Sequence, residues 1–225
     1  MHLTKAQLRR GSGRAGALAA QLLDAAERDQ AHRLVWTLFS ENGEEERDFL
    51  YRQIDPGEFL LLSRRAPQDP AGLWHLATRD FEPRFLPGER LSFILRANPA
   101  QVTRSPGKQR GVRVDAVMHA KRPKDERSDA RFGPAESERA ALAWLFKREE
   151  RLGVRFDRDA CQLDGYRTER LTSGFRRRAD DTRFAVADFR GALEVTNPDG
   201  LSTAIVAGIG KAKAYGCGLL LVKPA

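Results

Sequence analysis

Four histidines, His2, His32, His75 and His119, are the side chains best suited to moving protons at neutral pH, because a free imidazole titrates near about pH 6.5. A lone histidine is ordinarily structural or merely exposed, but His32 has a context. It lies in RDQAHRLVWTLF (28–39), where Ala31, Leu34, Val35 and Leu38 recur at the i, i+3, i+4, i+7 spacing of a helix with one buried face. His32 sits near the start of that helix and beside the apolar stripe, with Trp36 one turn on along the same flank. A helix N-terminus favours anions, so an imidazole placed there suits acid–base chemistry next to a phosphate.

A second candidate is GIGKAKAYGCGLLLVK (208–223), in which Gly208, Gly210, Gly216 and Gly218 flank two lysines. It fails as a nucleotide-binding P-loop, because Gly210-Lys211 is followed by Ala212 and not by a hydroxyl side chain that could reach a metal. It also fails as a dinucleotide fingerprint, since the sixth position from Gly208 is Lys213. Two readings remain. The glycines only permit tight turning and close packing, or they let backbone approach a phosphate while Lys211 and Lys213 supply charge. The lysines favour contact with a polyanion's backbone, with most of the glycines building structure and no nucleotide bound.

The net charge of +8 points to such a polyanion, most often nucleic acid. Its distribution is uneven: residues 1–100 carry 14 basic and 14 acidic side chains, whereas residues 101–225 carry 25 and 17. Two stretches concentrate it. RTERLTSGFRRR (167–178) holds five arginines against one glutamate, and reads either as a solvated hairpin or as an anion-binding one. RSPGKQRGVR (104–113) turns at Pro106-Gly107 and carries Lys108, Arg110 and Arg113; its alternative is an edge strand protected by charge. With aromatic residues at 8%, an extensive base-stacking platform is not expected.

The elements that must position these groups follow from pattern. The first ten residues read as a strand, 28–39 as a helix, and RDFLYRQI (47–54) and EFLLLSRR (58–65) as strands joined at Asp55-Pro56-Gly57. A helix over 67–78 and the strand RLSFILRA (90–97) complete a β-α-β-β-α-β order, the ferredoxin-like plan. The second half repeats it loosely. RGVRVDAVMHA (110–120) is strand-like, 121–134 is a polar insertion, and a helix over 135–151 turns Ala141, Leu142, Leu145 and Phe146 or Trp144 inward. Strands at 161–167 and 183–195 flank the arginine-rich loop, NPDGLSTAIVAG (197–208) opens a helix, and CGLLLVK (217–223) is the last strand. The expectation is an α+β chain of two tandem ferredoxin-like domains, 1–98 and 99–225. No apolar run reaches membrane-spanning length. The start MHLTKAQLRR lacks a secretory core, and Cys161 and Cys217 have no metal-ligand spacing. A reduced, cytoplasmic protein without structural zinc is expected.

Four motifs in order carry a family likeness: MHLTK (1–5), LRANP (95–99), FRGALEV (189–195) and the terminal GIGKAKAYGCGLLLV (208–222). Together they resemble the CasE family, the repeat-processing endoribonucleases of type I-E CRISPR systems. That resemblance implies two tandem ferredoxin-like domains. It also implies a metal-independent, cofactor-free cleavage of precursor CRISPR RNA at the 3′ base of a repeat stem-loop, in which a ribose 2′-OH attacks the adjacent phosphorus to leave 2′,3′-cyclic phosphate and 5′-OH ends. His32 matches the histidine implicated in cleavage.

The family often carries a tyrosine three residues before that histidine, where this chain has Asp29. The second acid/base group is therefore open to a lysine or another tyrosine, and Asp29 is a candidate helix cap. The resemblance further implies that the arginine-rich hairpin enters an RNA groove, where Arg170, Arg176, Arg177 and Arg178 give affinity and salt dependence. Lys108, Arg110 and Arg113 would hold the strand beside the scissile phosphate, and Arg96, Lys211 and Lys213 would touch RNA backbone. The partners implied are the repeat RNA stem-loop and the other subunits of the type I-E surveillance complex, with no membrane. The alternative is an RNA-hairpin-binding subunit of the same fold without activity.

Overall fold

A computed structural model describes residues 1–9, 28–39, 47–104, 111–121, 133–171 and 182–225. Alternation of small or apolar residues with polar ones makes β1 (His2–Leu8), whose Thr4, Ala6 and Leu8 are buried while Lys5 and Gln7 are exposed. Helix α1 (Arg28–Trp36) follows and buries Ala31, Leu34 and Val35, with Leu38 buried just beyond its end. Strands β2 (Phe49–Asp55) and β3 (Glu58–Ser63) form the expected hairpin, and β4 (Trp74–Asp80) closes a first antiparallel sheet in the order β2-β3-β1-β4.

The helix expected over 67–78 does not form. Pro67 and Pro70 interrupt it, Gly72 adopts φ +66°, and the Asp69 carboxylate accepts from the amides of Leu73 (2.9 Å) and Trp74 (2.8 Å). That loop feeds the chain directly into β4. The strand expected to close the first half, β5 (Arg90–Ala97), pairs instead with β10 and β11 in the second sheet.

After β5 come β6 (Ala100–Thr103) and β7 (Val112–Asp115), a two-stranded hairpin, and then α2 (Ala116–Ala120). The strand read over 110–120 therefore ends at Asp115, whose carboxylate caps α2 by accepting from the Met118 amide at 2.7 Å. Within the polar insertion read at 121–134, residues 122–132 lie outside the described residues. The helix expected over 135–151 is divided into α3 (Pro134–Phe146) and α4 (Glu149–Leu152). Ala141, Trp144 and Leu145 are its fully buried residues, so Trp144 takes the inward position and Phe146 is only partly buried.

The second sheet runs β11-β5-β10-β8, with β8 (Val154–Phe156) and β9 (Gln162–Leu171) placed end to end along one edge of the long β10 (Thr182–Val195). Helix α5 (Pro198–Ala207), capped by Asn197 Oδ1 accepting from the Gly200 amide, leads to a single 3-10 turn (Lys213–Tyr215) and to β11 (Leu220–Pro224). In both sheets the first strand of the unit lies between its third and fourth. The molecule is two tandem ferredoxin-like domains, the first without its second helix and the second with its second strand broken in two.

Strand β2 joins the domains. Its Phe49 and Tyr51 face α1 in the first core, while Leu50 packs into the second core with Phe93, Leu95, Trp144 and Phe189. Among the described residues no helix is long and apolar enough to cross a membrane.

Candidate active site and nucleic-acid interface

The C-terminal glycine-rich segment folds back across the first domain. Gly208 has φ +74°, and a Cβ there would lie 2.8 Å from Leu50 Cδ1, so only glycine allows the segment to pass this close to β2. Gly216 has φ +75° and sits against the Tyr51 ring, where a Cβ would lie 3.3 Å from Cε2. Between them the Tyr51 hydroxyl donates to the Ala214 carbonyl at 3.0 Å. This packing presses the 3-10 turn onto α1, and it fulfils the expectation that the glycines build structure.

The consequence is chemical. The Tyr215 ring lies 6.1 Å from the His32 ring, centroid to centroid, at an interplanar angle of 47°. On its other flank His32 meets Trp36 edge-on, also at 6.1 Å, and Trp36 Nε1–H donates to His32 Nε2 at 2.9 Å. Trp36 is itself braced by Phe49 of β2, 5.2 Å away in a T-shaped contact. The hydrogen bond uses the lone pair of Nε2, so the neutral imidazole carries its proton on Nδ1. His32 is half-buried, and so is Tyr215.

The chain has three tyrosines, and the structure separates them. Tyr51 is buried in the first core. Tyr166 donates to Asp115 at 2.7 Å, and burial together with that carboxylate pushes its hydroxyl well above the ordinary phenol range. Tyr215 is the one against His32. Sequence reading allowed another tyrosine without identifying it, because Tyr215 and His32 stand at opposite ends of the chain.

Cations gather along the same segment. The Lys213 ammonium donates to the Ala207 carbonyl, and its pKa is lowered by burial first and then by Arg47, Lys211 and Arg151. Lys211 is exposed, with its backbone bridged to Asn98. Arg113 is exposed on β7, and it lines an open groove of about 400 Å³ together with Lys211, Lys147, Arg148 and Trp144. Lys147 and Arg148 escaped sequence reading because they looked like the interior of one long helix.

Arg96 is placed differently. Asp188 accepts from its Nε at 2.7 Å and its Nη2 at 3.2 Å, from Arg167 at 2.9 Å and from Arg52 at 3.4 Å. Burial opposes ionisation of this carboxyl, but the hydrogen bonds from Arg96 and Arg167 outweigh it and hold Asp188 below its usual range. Arg52 is pulled down by burial and by Arg96. The knot joins β2 of the first domain to β5, β9 and β10 of the second. Arg170 stands on β9 opposite Arg183 in the register. Asp29 lies in the first turn of α1. Lys108, Arg110, Arg176, Arg177 and Arg178 lie outside the described residues.

Comparison with known proteins adds an independent line. Residues 1–224 match the family model described as CRISPR associated protein. The chain is 28% identical over 204 residues to the CRISPR-associated endoribonuclease Cse3 of Thermus thermophilus, covering 85% of this chain and 80% of that protein. It is 28% identical over 201 residues to the CRISPR system Cascade subunit CasE of Escherichia coli, covering 87% and 91%. Its structure is similar to that of CRISPR endoribonuclease Cse3 bound to 19 nt RNA, with a TM-score of 0.68 at 28% identity over 99% of both chains.

Proposed function

The chain belongs to the CRISPR associated protein family, among the CasE and Cse3 proteins, and from that premise we propose that it is an endoribonuclease that processes CRISPR repeat RNA. It binds the repeat stem-loop, cuts at its 3′ base and stays with the product as a subunit of the surveillance complex. The observation that carries this reading is the packing of Tyr215 against His32, on a segment that also carries Lys211 and Lys213.

Cleavage by 2′-OH attack needs one group to take the proton of the nucleophile and one to give a proton to the departing 5′-oxygen. The bond formed is O2′–P, the bond broken is P–O5′, and the ends left are a 2′,3′-cyclic phosphate and a 5′-hydroxyl. His32 and Tyr215 are the two groups, and neither step requires a metal. Trp36 donates to His32 Nε2 and so fixes the orientation of the ring. A group that exchanges a proton in the transition state contributes roughly 10²–10⁴-fold. Lys213 and Lys211, on the segment that carries Tyr215, are the cations best placed in the chain to offset charge building on the phosphate oxygens.

The test is analysis of the ends produced from a repeat hairpin in excess chelator. Wild type is expected to leave 2′,3′-cyclic phosphate, and Tyr215→Phe to bind equally but cut roughly 10²-fold more slowly or worse. Tight binding by wild type with no cleavage would make the protein an RNA-holding subunit instead.

A further inference from the structure

The groove between the β6–β7 hairpin and the end of α3 has the features of a binding site. Arg113, Lys147 and Lys211 are exposed on three separate elements and converge on it, and Arg148 completes the set. Among the described residues no acidic side chain lines it. Burial and the neighbouring Arg151 pull Arg148 down to about 10, which leaves it charged at neutral pH. Four cations with no counter-ion among the described lining residues raise the local positive potential, which favours an anionic ligand.

The groove does not read bases by stacking. Its aromatic member, Trp144, is 2% exposed, carries the Arg148 guanidinium 3.6 Å above its ring, and lies stacked on Phe189 at 6.0 Å. Its indole N–H is also taken, by the Ala100 carbonyl at 2.9 Å. What the groove presents is a cluster of cations without a base-stacking platform, which suits the phosphates of a backbone. Further cations follow along the chain. Lys211 ends the groove, Lys213 lies two residues further on and feels both Lys211 and Arg47, and the same 3-10 turn delivers Tyr215 to His32.

We propose that this groove binds the unpaired strand that leaves the stem-loop on the 3′ side of the cut, gripping its phosphates without regard to sequence. The inference rests on the RNA reading above and adds a second subsite to it. The 3′ side follows from chain order, because Lys211, which lines the groove, lies four residues before the Tyr215 that the 3-10 turn sets against His32, so the groove adjoins the strand that continues past the cut. Contacts of this kind make affinity salt-dependent, with a slope of roughly 0.7 per phosphate on a single strand.

The experiment measures binding of the full chain to three hairpins across a salt series: a blunt one, one with a 5′ flank and one with a 3′ flank. Each carries a 2′-deoxy sugar at the cut site to prevent cleavage. Wild type is expected to bind the 3′-flanked RNA more tightly than the blunt one, equally for flanks of different sequence. The double variant Arg113→Gln, Lys147→Gln should close that gap and lower the salt slope on 3′-flanked RNA by roughly 1.4, two phosphates at about 0.7 each. Those residues are exposed, so thermal unfolding at the wild-type temperature confirms an intact fold. The proposal is overturned by no 3′-flank advantage in wild type, by a gap that survives in the variant, or by an advantage confined to the 5′ flank. Wild-type affinity for the blunt hairpin tests the RNA reading by itself, and its absence would overturn both.

Discussion

Two groups of cations look alike in the sequence and differ in kind in the structure. Around Asp188, Arg52, Arg96 and Arg167 are drawn inward onto one carboxylate that is 14% exposed, with Glu169 taking the remaining reach of Arg167. Around the groove, Arg113, Lys147 and Lys211 stand exposed with no acidic side chain among the described lining residues. The difference teaches how to tell architecture from recognition in a basic protein. A guanidinium with a buried counter-ion holds elements together, whereas convergent cations without one are waiting for a partner's charge.

The sharpest way to break that contrast is Asp188→Ala. It strands three arginines in a half-buried knot and should destabilise the protein by about 3 kcal/mol or more, read as a fall in the denaturant midpoint. Acid does the same thing reversibly. The folded pKa of Asp188 lies below its unfolded value, so the stabilisation is fully present above about pH 4 and disappears as pH falls through the folded value. Wild type should therefore lose stability in that window more steeply than Asp188→Asn, whose side chain no longer titrates.

Gly216→Ala is expected to have a smaller effect. It adds a Cβ at φ +75° against the Tyr51 ring and should cost about 1–2 kcal/mol. Because it disturbs the turn that carries Tyr215, cleavage should fall more than RNA binding. Smallest of all is Lys147→Gln, which should leave the unfolding midpoint within about 0.5 kcal/mol of wild type while reducing the salt slope on flanked RNA by roughly 0.7. A large loss of stability there would erase the distinction between the two cation groups.

What the sequence made legible was whatever is local. The stripe of Ala31, Leu34, Val35 and Leu38, the turn at Asp55-Pro56-Gly57 and the alternation in β5 each declare an element within a few residues. The helix read over 67–78 failed because Asp69, two prolines and a left-handed glycine decide that loop against apolar spacing. Strand β5 was recognised but assigned to the wrong sheet, since its partners β10 and β11 lie in the last third of the chain. His32 could be singled out by its helix and by family likeness. Tyr215 could not, because its proximity to His32 depends on Gly208 and Gly216 fitting against Leu50 and Tyr51. The same holds for Arg96, whose partner Asp188 is fixed only by the register of β5 on β10.

The measurement that tests the central claim most directly is cleavage of a repeat hairpin in excess chelator by wild type and His32→Ala, with binding assayed in parallel. Wild type is expected to cut, and His32→Ala to bind as tightly but cut roughly 10²–10⁴-fold more slowly. A His32→Ala variant that cuts as fast as wild type would contradict that claim and move the active site elsewhere.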